Sequence, residues 1–149
     1  DILCLTSRFI SDRQIITGGM DCVIAKWNTT KKSEFYRIDF SEKQQAQMLN
    51  PKFVYHIDVQ GNRIAVATGN GTVYVIDHQT GEIKNILENV HSSAVCQIRL
   101  VSRNEEEIMI TGGNDSKITL WNLPANKKKI IQPTRNTKKG KKKGKSKVG

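Results

Sequence analysis

Short apolar runs rich in Val, Ile, Phe and Tyr recur along the chain, and clusters of Gly, Asn and Asp separate them. That pattern predicts short β-strands joined by tight turns. First strands are expected at Leu3–Phe9, Phe53–Val59 and Val95–Val101. Second strands are expected at Gln14–Thr17, Arg63–Ala67 and Ile108–Thr111, and third strands at Val23–Trp27, Val73–Ile76 and Ile118–Trp121. Outer fourth strands are expected at Glu34–Phe40 and Glu82–Leu87, with Ile130 and Ile131 adding one to the last set. No stretch carries a strong 3.6-residue period. Ser41–Leu49 has the composition to form one turn of helix and reads as a long connection. Gly69-Asn70-Gly71 and Gly113-Asn114-Asp115 have the chemistry of turns with positive φ.

The runs belong to a repeat. Ile16-Thr17-Gly18-Gly19-Met20-Asp21 and Ile110-Thr111-Gly112-Gly113-Asn114-Asp115 share the pattern Ile-Thr-Gly-Gly-x-Asp, and each leads to a Trp-Asn pair at Trp27-Asn28 and Trp121-Asn122. A weaker copy, Val66 to Asp77, lies between them. Aligned on Asp21, Asn70 and Asp115, the copies are 49 and 45 residues apart. Propeller blades repeat at roughly 40–45 residues.

These residues resemble the WD-repeat family. The resemblance implies an all-β fold, a WD40 β-propeller, of which this chain would supply about three blades of an incomplete propeller, followed by a disordered basic tail. The implied division is 1–46 (a blade and a connection), 47–90 (a degenerate blade), 91–131 (a blade with a full tetrad) and 132–149 (a Lys-rich tail). In that family a His before the first strand, a Ser or Thr in the second, an Asp in the next turn and a Trp in the third form a hydrogen-bonded tetrad. All four match here at His91, Thr111, Asp115 and Trp121. Thr17, Asp21 and Trp27 match in the first copy, whose His would fall before Asp1. Val66, Asn70 and Ile76 hold those places in the middle copy, so its tetrad is expected to be lost and replaced by apolar packing. A buried network of this kind rigidifies when fully paired and is costly when half paired. Residues 47–149 further resemble the later blades of one member of the family. Propellers close with four to eight blades, so three are expected to be part of a longer propeller, or to be completed by another chain.

Charge is unevenly spread. The net charge is +10, yet residues 127–149 hold eleven Lys and Arg and no acid, which leaves the rest close to neutral. The tail includes Lys138, Lys139, Lys141, Lys142, Lys143, Lys145 and Lys147. It lacks apolar area to bury, so it is expected to be disordered. Three uses remain open for it: a nuclear localisation signal, nonspecific RNA or DNA affinity through phosphate neutralisation, or a solvated tail. No aromatic residue is interleaved, so sequence-specific stacking on bases is not expected. No run of 18 apolar residues is present and no secretory signal opens the chain, so no membrane partner is expected. Three cysteines, Cys4, Cys22 and Cys96, without CxxC spacing, argue against a disulfide framework or a zinc site.

Catalytic candidates are weak. His56 lies in a strand and His78 in a turn, neither with a partner at nucleophile or metal spacing. The Gly pairs precede a turn and a strand, whereas phosphate loops open a helix. Glu105-Glu106-Glu107 reads as a solvated loop. The expectation is no enzyme, no cofactor and no small-molecule substrate. The resemblance implies a nuclear or cytoplasmic scaffold for protein partners, and a substrate receptor of a cullin 4-class ubiquitin ligase docked through the damage-specific DNA-binding adaptor. The docking motif of such receptors, Trp-Asp-x-Arg, is absent: Trp27-Asn28-Thr29-Thr30 and Trp121-Asn122-Leu123-Pro124 stand there. The alternative is a nucleic-acid-associated assembly factor using the tail.

Overall fold

The computed structural model describes residues 4–41, 50–103, 106–123 and 127–131, the last as backbone alone. The first strand set is β1 (Cys4–Ser11), β2 (Gln14–Gly19), β3 (Val23–Asn28) and β4 (Ser33–Asp39). The second is β5 (Val54–Gln60), β6 (Arg63–Thr68), β7 (Val73–Asp77) and β8 (Ile83–Leu87). The third is β9 (Val95–Arg103), β10 (Glu106–Gly113), β11 (Ile118–Asn122) and β12 (Lys127–Ile131). Each set is one antiparallel sheet whose strands neighbour each other in chain order. The three sheets are called blades 1, 2 and 3 below. The tail lysines from Lys138 onward and the connection at 42–49 lie outside the described residues.

Blade 2 is covered on both sides. Ile64, Val66, Tyr74 and Ile76 face blade 1 and pack with Ile16, Ile24, Phe40 and Ile57. The alternate residues Ala65, Ala67 and Val73 face blade 3 and pack with Val95, Ile98, Leu100, Met109 and Trp121. Side chains alternate across a strand, so a sheet buried on both faces needs apolar residues at successive positions. This is why β6 and β7 read as nearly unbroken apolar runs, whereas β1 alternates.

The sheets approach most closely through their first strands, β1 with β5 and β5 with β9, and fan apart outward. Further ties cross the blade 1–2 joint. Buried Lys26 donates from Nζ to the carbonyl of His78 at 2.8 Å, and the Tyr36 hydroxyl donates to the same oxygen at 3.2 Å. The Lys26 ammonium also sits 5.2 Å from the Phe35 ring centroid. Burial holds the Lys26 amine below its ordinary pKa. Burial, followed by the charge of Asp77, pushes the Tyr36 phenol up to about 12.

The structure moves some features of the sequence reading. The double glycines end strands β2 and β10, ahead of the turns, where the sequence reading has them. Positive φ falls one residue after the aligned Asp or Asn, at Cys22 (62°), Gly71 (81°) and Ser116 (61°). Glu106 and Glu107 belong to strand β10, and Glu107 forms an ion pair with Arg63 of blade 2.

Gly71 has a second constraint. Its carbonyl accepts from the amides of Val90 and His91, at 3.0 and 3.4 Å, as the chain enters blade 3. A Cβ at Gly71 would lie 2.2 Å from the His91 carbonyl oxygen. Gly71→Ala is therefore expected to destabilise by at least about 2 kcal/mol, combining left-handed strain with a backbone clash. Urea denaturation of the variant against the parent checks this. An unchanged midpoint would show that the turn relaxes freely.

Candidate functional site

In blade 3 the structure brings His91, Asp115 and Thr111 together. His91 Nδ1 lies 2.8 Å from Asp115 Oδ1, and Nε2 lies 2.9 Å from the Thr111 hydroxyl. A neutral imidazole satisfies both contacts by donating from Nδ1 to the carboxylate and accepting the hydroxyl proton at Nε2. Asp115 also accepts from the Ser92 amide at 3.1 Å and the Lys117 amide at 3.2 Å. Burial raises the Asp115 pKa, but the bonds from His91 and the Ser92 amide outweigh it and leave the carboxyl below its ordinary value. Gly113 makes the approach possible, because a Cβ there would lie 2.4 Å from His91 Nδ1. Trp121 is buried in the core between blades 2 and 3.

A hydroxyl, an imidazole and a carboxylate in sequence have the connectivity of a nucleophilic triad. Here Thr111 is 1% and His91 3% exposed, so a substrate carbonyl could not reach the hydroxyl. The arrangement fastens the entry of blade 3 to the β10–β11 turn.

Blade 1 carries the matching residues. Thr17 accepts from Trp27 Nε1 at 3.0 Å, and Asp21 accepts from the Val23 amide at 3.3 Å. Blade 2 keeps more than the sequence suggested. Asn70 accepts from the Thr72 amide at 3.3 Å, as Asp21 and Asp115 do from theirs. The Thr68 hydroxyl lies 2.7 Å from Asn70 Oδ1, on the atom equivalent to the one His91 meets on Asp115, and 2.7 Å from the Thr72 carbonyl oxygen, so its one proton serves either acceptor. Thr68 stands where the other copies have Gly19 and Gly113. The hydroxyl thus fills the place that glycine leaves open for histidine. Blade 2 holds by a local polar substitute as well as by apolar packing, and the signal in the sequence was that Gly-to-Thr replacement.

The Asn that follows Trp27 has its own task. Asn28 Oδ1 accepts from the Thr30 and Lys31 amides at 3.0 and 2.8 Å. Asp77, at the same place in blade 2, accepts from the Gln79 and Thr80 amides at 2.9 and 3.0 Å. These are turn-forming contacts.

A second cluster escaped the sequence reading because its members lie on three separate copies. β9 is an edge strand, and its Ile98 and Leu100 amides point at blade 2. They donate to His56 Nδ1 at 3.4 Å and to Asp58 Oδ2 at 2.8 Å. Arg8 Nη2 of β1 lies 3.2 Å from His56 Nε2, and Arg8 Nε lies 3.8 Å from Asp58. Arg99 Nη1 of β9 reaches Asp58 from the other side at 3.5 Å. Burial, then the charge of Arg8, lowers the His56 pKa.

Consecutive four-stranded meanders, meeting at their first strands and carrying this turn network, define the blades of a WD40 β-propeller. The comparisons agree. No family model matches the chain. A WD repeat-containing protein 53 homolog of Dictyostelium discoideum is 26% identical over 135 residues, covering 76% of this chain and 37% of that protein. The 77 kDa echinoderm microtubule-associated protein of Strongylocentrotus purpuratus is 27% identical over 86% of this chain and 18% of its own length. Among solved structures, the WD40 propeller domain of Doa1 superposes with a TM-score of 0.69 at 17% identity, over 87% of this chain and 40% of that one. U3-55K superposes at 0.72 and 15% identity, over 89% and 40%. The chain spans well under half the length of each of these proteins.

Both clusters make stability depend on pH, with the same sign. The folded His56 pKa lies below its unfolded 6.5, so below about 6.5 the unfolded state takes up the proton first and stability falls with pH. The folded Asp115 pKa lies below 3.8, so its contribution is full above that value and is lost as pH falls through the folded pKa. Denaturation midpoints measured from pH 8 to pH 3 are expected to fall in the window below 6.5 and again below 3.8. In His56→Gln the first fall should shrink. A midpoint that is flat from pH 7 to pH 5 would contradict the His56 assignment.

Proposed function

We propose that the protein is a non-catalytic scaffold for protein–protein interaction. The sealed Thr111–His91–Asp115 chain supports this reading most directly, because the one group among the described residues with the connectivity of a catalytic triad is spent on holding a turn. A rigid set of blades suits the display of loops and of the inner-strand wall to partners. The finer reading follows the family resemblance: a substrate receptor of a cullin 4-class ubiquitin ligase, docked through the damage-specific DNA-binding adaptor. The Trp-Asp-x-Arg positions here read Trp27-Asn28-Thr29-Thr30 and Trp121-Asn122-Leu123-Pro124. Any docking through these blades therefore uses other contacts, since Asn28 is committed to its turn.

One observation favours a second reading. Eleven Lys and Arg crowd residues 127–149. That density suits a nucleic-acid-associated assembly factor in ribosome biogenesis or chromatin, with sequence-blind, salt-sensitive RNA or DNA affinity. A nuclear address, or shared nuclear and cytoplasmic residence, goes with either reading.

Affinity purification of the protein with and without residues 132–149, which leaves strand β12 in place, at low and high salt, tests both. The scaffold reading expects the adaptor and the cullin with both forms at both salts. Ribosomal or chromatin proteins that disappear with the tail or at high salt would overturn it in favour of the second reading.

A further inference from the structure

We propose that the inner-strand wall formed by β1, β5 and β9 is a binding site for an acidic side chain, a Glu or Asp of a partner peptide. This rests on the scaffold reading and names the chemistry of the partner.

The argument starts from charge. Arg8 and Arg99 come from different blades and converge on one carboxylate, Asp58. Asp58 is buried and already holds the Leu100 amide through Oδ2 at 2.8 Å. Its other oxygen serves both guanidinium groups, at 3.5 and 3.8 Å. Neither contact is the short, two-pronged pairing that an arginine makes with a carboxylate of its own. Two positive groups therefore share one negative group that is partly spent on the backbone. His56 adds no compensating negative charge. Its Nδ1 accepts the Ile98 amide, so in the neutral ring Nε2 carries the proton and faces Arg8 donor to donor.

Among the described residues, the site thus has unmatched donors and one unmatched positive charge. It is also open. The Arg99 side chain is 65% exposed and that of Arg8 36%. An incoming carboxylate could take the free N–H groups of both arginines. A guanidinium presents five donors in a planar fork, and this fork geometry suits a carboxylate. Strand β9 cannot take a peptide by pairing through its Ile98 and Leu100 amides, because His56 and Asp58 already occupy them. Recognition at this wall falls to the side chains.

Fluorescently labelled tetraglutamate, titrated into the protein at low salt, is the probe, with tetraglutamine as the uncharged control. Arg99→Gln and Arg8→Gln are each expected to weaken tetraglutamate binding about threefold to tenfold. Replacing Lys141, Lys142 and Lys143 with Gln is expected to leave it unchanged. Tetraglutamine is expected not to bind. The melting temperature of Arg99→Gln, whose side chain is the more exposed, should match that of the parent, so a loss of binding reads as a loss of contact. Binding that resists both arginine substitutions but falls with the lysine substitutions would place the peptide on the tail and overturn the proposal. Absence of saturable binding at low salt would overturn it as well. Neither result depends on whether a ligase adaptor is recovered, so this site and the ligase reading fail separately.

Discussion

A narrow four-stranded sheet cannot bury both of its faces by itself, and stacking such sheets forces polar turn groups into the joints between them. The rest of this structure follows from how those joints are satisfied. At the entry to blade 3 the solution is a carboxylate, Asp115, that gathers an imidazole and two backbone amides. At the same turn in blade 2 the solution is Asn70, with a hydroxyl from Thr68 and the amide of Thr72. The two devices share one geometry: a side-chain oxygen caps the turn, and a side-chain donor fixes that oxygen. Left unpaired, each buried group would cost about 1–3 kcal/mol.

The same economy governs the axis side, where the sheets meet. An edge strand exposes unpaired backbone amides, which invite pairing with other chains. His56 and Asp58 close that edge from the neighbouring blade. The closure draws two arginines onto one carboxylate, and that imbalance gives the inner wall its character. The group that seals the edge is also the one whose charge the arginines contest.

Much of this was legible in the sequence. The strands were readable because β-branched runs and Gly-Asn-Asp punctuation coincide. Thr111 and Asp115 stood out because the Ile-Thr-Gly-Gly-x-Asp pattern recurs, and the structure joins both to His91 while Trp121 packs in the apolar core. The places that were misread share a physical cause. Thr68 drew no reading, because the contact it makes with Asn70 is visible only once the turn is folded back on it. The positive φ at Cys22 and Ser116 sits at residues with no glycine to announce it. Arg8, His56, Asp58 and Arg99 lie up to 91 positions apart, and only the alignment of first strands brings them together. Alternation hinted at the exposed face of β1, but it carries no information about which residue of another blade lies opposite.

The central claim is that a fixed oxygen–donor pair holds each of these turns within its blade. Two double-mutant cycles by urea denaturation test it most directly, one on His91 and Asp115, the other on Thr68 and Asn70, each residue changed to Ala singly and together. The account predicts a coupling energy of about 1 kcal/mol or more in both cycles, as expected for residues in one buried network. Coupling within a few tenths of zero in both would contradict it, and would mean that apolar packing alone sets the blades.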